Sequence, residues 1–192
     1  MKCRACTDEC PKPDITDGVA YFACTNCGYV HEVKNYHAYT KEQIIGKIEA
    51  AFSGVVLGKG IGLFEAQALD DYESEEIQKK RRGEDEKINW NSISSEVLQN
   101  CHSSLSFFDA DGMQFHLPAY LIGSIKGEID DPIFHLMHMD DYTESRFVTF
   151  NESQKKVVIE YLTWCRTEEE YEFDDKDIIR ALNGYWEKPP SS

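Results

Sequence analysis

Along "VAYFACTNCGYVHEV", residues 19–33, aromatic and β-branched positions flank a Cys-Thr-Asn-Cys-Gly turn, which predicts a β-hairpin. Gly28, after the last cysteine, suits the positive φ that a metal knuckle wants. From residue 40 the pattern becomes helical. Thr40 and Gln43 form a capping-box pair, and Ile44, Ile45, Ile48, Ala51 and Phe52 share a face. "GVVLGKGIG", 54–62, breaks that helix and reads as a flexible connection. "LFEAQALDDYESEEIQKKRR", 63–82, resumes the pattern with Leu63, Ala66, Leu69 and Tyr72 inward. A further helix is predicted from Ser95 to Leu105, with Val97, Leu98, Cys101 and Leu105 on one side.

"FFDADGMQFHL", 107–117, reads as a turn with short strands and Asp111-Gly112 at its tip. Pro118 then fits the first turn of a short helix through Ile125. Asn151 and Gln154 cap a helix that buries Val157, Val158, Tyr161, Leu162 and Cys165. Asp174 or Asp175 starts a last one carrying Ile178, Ile179, Leu182, Tyr185 and Trp186. The expected fold is mainly α (α+β). A small N-terminal β zinc ribbon, 1–39, precedes a helical domain with short strands, 40–192.

Cysteine spacing makes the ribbon specific. Cys3-x2-Cys6 and Cys24-x2-Cys27 each aim two sulfurs at one centre, and together they complete a tetrahedron. One structural Zn2+ is the expected cofactor, because four thiolates leave no open position for water or substrate. Cys10 and His31 lie close to the knuckles, and either can replace a member of the set. Cys101 and Cys165 sit on apolar helix faces and read as small buried hydrophobes.

Charge changes the functional picture. Of 192 residues, 20 are Lys or Arg and 35 Asp or Glu, a net charge of −15. Residues 1–39 hold 4 basic against 5 acidic; the remainder holds 16 against 30. An acidic surface repels phosphate backbones and attracts basic proteins. The ribbon's Lys2, Arg4, Lys12 and Lys34 are too few for a phosphate-binding face, and Tyr21, Phe22, Tyr29, Tyr36 and Tyr39 read as packing residues. "DDYESEE", 70–76, and "EEEYEFDD", 168–175, interleave carboxylates with Tyr72, Tyr171 and Phe173, the composition of an acidic patch with aromatic anchors. Asp70, Asp71, Glu73, Glu168, Glu169, Glu170 and Asp174 form the pool of expected partner contacts, and "KKRR", 79–82, pairs with nearby acids. The opening Met-Lys-Cys-Arg-Ala-Cys has no apolar h-region and no run spans a bilayer, so a cytoplasmic protein with reduced thiols is expected.

No catalytic kit stands out. The glycine loop has three residues between Gly54 and Gly58 and a glycine after Lys59, so it fails the Walker pattern. His135, His138, Asp140 and Asp141 are the one cluster suited to metal or acid–base chemistry.

"GIGLFEAQALDDYESEE", "DEKINWNSISSEVLQNCHSSLSFFDADGMQFHLPAYLI" and "RFVTFNESQKKVVIEYL" resemble an uncharacterised bacterial helical domain family over about residues 40–165. That resemblance implies no chemistry at any residue. In size, acidity and lack of a catalytic kit, the chain is also similar to immunity proteins of contact-dependent growth-inhibition systems. This second likeness implies a non-enzymatic inhibitor that binds and neutralises a basic toxin, a nuclease domain, with neither nucleic acid nor membrane as a direct partner. The alternatives are a zinc-ribbon adaptor in a nucleic-acid-related complex and a metal-dependent hydrolase using His135, His138 and Asp140.

Overall fold

A computed structural model describes residues 2–11, 13–16, 19–34, 39–130 and 132–188. Lys12, Tyr36 and the side chains of Lys34 and Glu169 lie outside the described residues.

Strands β1 (Asp14–Thr16), β2 (Val19–Ala23) and β3 (Val30–Lys34) form an antiparallel sheet in the order β1-β2-β3. Ala20 faces Val33 and Phe22 faces His31 across β2 and β3. The two-residue period of a strand turns these four side chains to one side, and all four are buried. Cys3, Cys10 and Cys24 join Ala20, Phe22 and Val33 in one apolar cluster, with Cys6 packed against it. Three carbon side chains are few for a sheet of this size, and the sulfurs that join them are placed to add a staple.

The rest of the chain is helical. Helix α1 (Lys41–Ala51) buries Ile44 and Ile48, and Phe52 follows them into the core. Helix α2 (Leu63–Asp70) buries Leu63, Ala66 and Ala68. The Asp85 carboxylate caps α2 from a distance, accepting from the Phe64 amide at 2.6 Å and the Glu65 amide at 3.3 Å. Gly60 and Gly62 are close-packing glycines rather than hinges: a Cβ on Gly62 would sit 2.0 Å from Asp85 Oδ2 and one on Gly60 2.6 Å from the Gly112 nitrogen.

The long run 63–82 is two helices, not one. Helix α2 stops at Asp70 and α3 (Glu75–Glu84) begins afresh after Ser74. Tyr72 is therefore not inward; it takes φ +54° and is 94% exposed. Its amide bonds to the Leu69 carbonyl at 3.2 Å, and the Glu73 amide bonds to the Ala68 carbonyl at 3.0 Å. This is a Schellman C-cap with tyrosine where glycine is usual.

Helix α4 (Ser95–Asn100) passes into a 3₁₀ turn, His102–Ser106, burying Leu98, Cys101 and Leu105. The hairpin expected at 107–117 is instead the start of α5 (Ala110–Lys126). Asp109 Oδ1 accepts from the Gly112 amide at 2.8 Å and so caps a helix where Asp111-Gly112 suggested a turn. Pro118 lies inside α5 rather than at its first turn. Residues 115–125 are buried throughout, so α5 is the central helix of its unit, and that packing outweighs the rung lost at proline.

Helices α6 (Ile133–Met137) and α7 (Asp141–Ser145) are short. In α8 (Glu152–Cys165), the Asn151 side chain accepts from the Gln154 amide and the Gln154 side chain from the Asn151 amide, both at 3.0 Å. This reciprocal capping box is the expected one, and the five expected core residues are buried. Helix α9 (Asp175–Ala181) runs into a wider turn, Leu182–Trp186.

By its contacts the chain divides into two compact units, Met1–Thr40 with Val158–Ser192, and Lys41–Val157. In the second, Phe52, Phe147 and Phe150 pack edge to face. In the first, Trp164 packs between Tyr161 and Tyr171, and Arg166 pairs with Asp175 at 2.8 Å. No helix among the described residues is long and apolar enough to cross a membrane.

Candidate metal centre and acidic loops

The two Cys-x-x-Cys turns are built alike. In the first, the Cys3 amide bonds to the Asp8 carbonyl at 2.7 Å and the Thr7 amide to the Cys3 carbonyl at 2.8 Å. In the second, the Cys24 amide bonds to the Tyr29 carbonyl at 2.8 Å and the Gly28 amide to the Cys24 carbonyl at 2.9 Å. Each turn closes through a left-handed residue, Thr7 at φ +66° and Gly28 at φ +71°. The Asn26 side-chain amide donates to the Asp8 carboxylate and ties one turn to the other.

The four sulfurs converge. Cys3 and Cys27 Sγ are 3.5 Å apart, as are Cys6 and Cys24 Sγ, and all four lie within 4.8 Å of one another. A disulfide needs about 2.05 Å, whereas a tetrahedral ion with bonds of about 2.3 Å sets neighbouring sulfurs about 3.8 Å apart. The set therefore fits a four-coordinate metal ion. Charge points the same way. The Cys27 amide, then burial acting against it, then the Asn26 amide set the Cys24 thiol, which falls to about 6. At Cys6 the Asp8 amide pulls downward, but burial and the neighbouring sulfurs outweigh it and push the thiol up to about 12. Sulfurs this close do not all ionise unaided; a bound dication lets them.

Cys10 and His31 are both buried beside the centre, and Cys3, Cys10 and His31 form a second convergent group within 4.8 Å. His31 already has a task. Its Nε2 accepts from the Arg4 amide at 3.1 Å, which braces the first Cys-x-x-Cys turn from strand β3.

The acidic residues fall in both units. Asp70, Asp71 and Glu73 surround Tyr72 in the unit Lys41–Val157, and Glu168, Glu169, Glu170 and Asp174 lie in the other. Phe173 is 95% exposed, while Tyr171 is 3% exposed and packs on Trp164, so Phe173 and not Tyr171 stands out from its carboxylates. Of the basic cluster, Arg81 pairs with Glu84 at 3.0 Å and Arg82 bridges Glu65 and the Lys59 carbonyl.

His135, His138 and Asp140 do not assemble. Among the described residues, the groups of three or more donors within ligand distance are the two around Cys3. Asp140 Oδ1 accepts from the Thr143 amide at 2.7 Å and caps α7. That bond comes first among the causes that hold its carboxyl low. His138 Nδ1 meets the Phe134 carbonyl at 3.1 Å. Burial, then Arg146 and His138, lower His135 to about 4.

Twin knuckles beside a small sheet each offer two thiols to one centre, and the four cysteines lie close enough to hold a metal ion. The chain as a whole belongs to a family of unknown function (DUF6714), whose model matches residues 40–189. No curated protein and no solved structure matches the chain.

Proposed function

We propose that this protein is a non-enzymatic inhibitor of the immunity type, which binds and neutralises a basic toxin domain of the nuclease class. The observation that carries the reading is Tyr72. A bulky aromatic residue holds a left-handed position that costs about 1–2 kcal/mol and that glycine would fill freely. It is almost wholly exposed, among Asp70, Asp71 and Glu73. Glycine would make the same cap of α2 without that strain, so what tyrosine adds there is its displayed ring, and a partner's surface gives that ring a use. Phe173, beside Glu172 and Asp174 in the other unit, is a second exposed ring among carboxylates, without the left-handed backbone. Aromatic rings held in a negative field suit a cationic partner: the field speeds encounter by roughly 10–10³-fold, and the rings slow release. The tetrathiolate centre takes zinc in a structural role, since four sulfurs close its coordination shell.

The test is co-expression with nuclease toxin domains encoded in the same genome, followed by binding measurements on the purified pair. Growth rescue and an affinity that falls steeply with salt support the reading. Tyr72→Gly should weaken binding by at least about 30-fold, the size of an interface hot spot, while raising thermal stability. Nuclease activity unaffected by a stoichiometric excess of this protein, or substrate turnover by the protein alone that follows its metal content, overturns it.

A further inference from the structure

The ribbon carries a fifth thiol. We propose that Cys10 is a reserve ligand, which replaces Cys27 when that outer thiol is lost to oxidation or alkylation, so that the ion is kept. This rests on the reading of Cys3, Cys6, Cys24 and Cys27 as a metal centre.

The geometry sorts the sulfurs by access. Cys3 and Cys24 are 2% exposed, Cys6 is half-buried, and Cys27 is exposed. An electrophile therefore meets Cys27 first. Cys10 is 8% exposed, and its thiol lies within 4.8 Å of Cys3 and His31. It thus stands, itself buried, beside one of the two innermost ligands. Cys10 also belongs to the apolar cluster of the sheet, so its position is fixed by Ala20, Phe22 and Val33. Alanine or valine would fill that space as well, but a thiol there adds the ability to bind the ion. His31, the other neighbour, is engaged through Nε2 to the Arg4 amide, which leaves Cys10 as the available donor.

The exchange balances. The bond from the metal to Cys27 Sγ breaks and one to Cys10 Sγ forms. With a maleimide the Cys27 sulfur bonds to one alkene carbon and the proton leaving Cys10 ends on the other; with a peroxide the Cys27 thiolate becomes a sulfenic acid, and the hydroxide released takes the Cys10 proton as water. Four thiolates hold the dication before and after, so the charge of the centre does not change.

Metal content and the Co(II) spectrum of the full chain test this. The wild type should bind one Zn(II), or one Co(II) with the charge-transfer intensity of four thiolates; no binding would sink the metal reading itself. Cys27→Ser should still bind one equivalent at four-thiolate intensity, and Cys10→Ala should also bind one. The double variant should fall to three-thiolate intensity and lose its ion to a chelator at least about tenfold faster than either single variant. N-Ethylmaleimide should release zinc several-fold faster from Cys10→Ala than from the wild type. If Cys27→Ser behaves like the double variant, Cys10 is no reserve. If Cys10→Ala alone abolishes binding, Cys10 is a primary ligand, and the assignment fails equally.

Discussion

Thr7 and Gly28 hold equivalent places in the two knuckles, with the same hydrogen bonds and nearly the same φ, yet only one is glycine. A β-branched residue is strained there. We expect Thr7→Gly to stabilise the ribbon by about 1 kcal/mol and tighten its affinity for added metal ion about fivefold, measured by chelator competition; an unchanged or weaker affinity would mean that the bond from Thr7 Oγ1 to the Cys6 carbonyl matters more than the strain. His116 makes a second residue-scale case. Its ring is wholly buried, stacked on Phe108 at 4.4 Å, with Nδ1 2.8 Å from the Gly112 carbonyl and no partner for Nε2. Burial lowers it to about 4, against the raising effects of the Gly112 carbonyl and Asp109. The unfolded chain, with an ordinary histidine near 6.5, takes up this proton first as pH falls. Stability is therefore intact above about pH 6.5 and declines toward pH 4, by roughly 2 kcal/mol between pH 6.5 and 5. Denaturant titration of chelated protein should reveal that slope in the wild type and a flatter one in His116→Leu.

Among the elements, α8 and α5 differ in how openly they announce themselves. The capping box of α8 is local: Asn151 and Gln154 satisfy each other's amides three residues apart. Asn151→Ala should cost about 1–2 kcal/mol, read as a drop in denaturation midpoint with little change in slope. The same locality made α8 legible from sequence, as it did the two knuckles, whose ligands sit at fixed offsets. Helix α5 was not legible because two of its residues carry the marks of other structures. Asp111-Gly112 looks like a hairpin tip and Pro118 like a helix start, and what overrides both is the burial of Phe115–Ile125 on every side. The break after α2 was missed for the converse reason. The apolar spacing continues through Tyr72, while the chain stops its helix with a cap that uses the wrong residue for the job. Asp85 over the start of α2 has no local signature at all, since cap and helix lie 21 residues apart.

For the molecule as a whole, a metal ion held by the four cysteines should govern one unit and spare the other. Chelation should abolish amide protection in β2 and β3 and leave α5 protected, as followed by hydrogen exchange; equal loss in both would mean a single cooperative block. The candidate site divides in the same way, with the ribbon's sulfurs and the Phe173 loop in one unit and the Tyr72 loop in the other. That grouping has a bearing on synthesis. The unit made of Met1–Thr40 and Val158–Ser192 is interrupted by 117 residues, Lys41 to Val157, so it cannot be completed until the last stretch has left the ribosome. Closing so long an unfolded span costs about 4 kcal/mol in chain entropy, a cost removed if the inserted unit folds beforehand and holds its two ends in place. The knuckles, made before their helical companions, must then wait for them, and an ion captured early would hold four of the ribbon's five thiols in the interval.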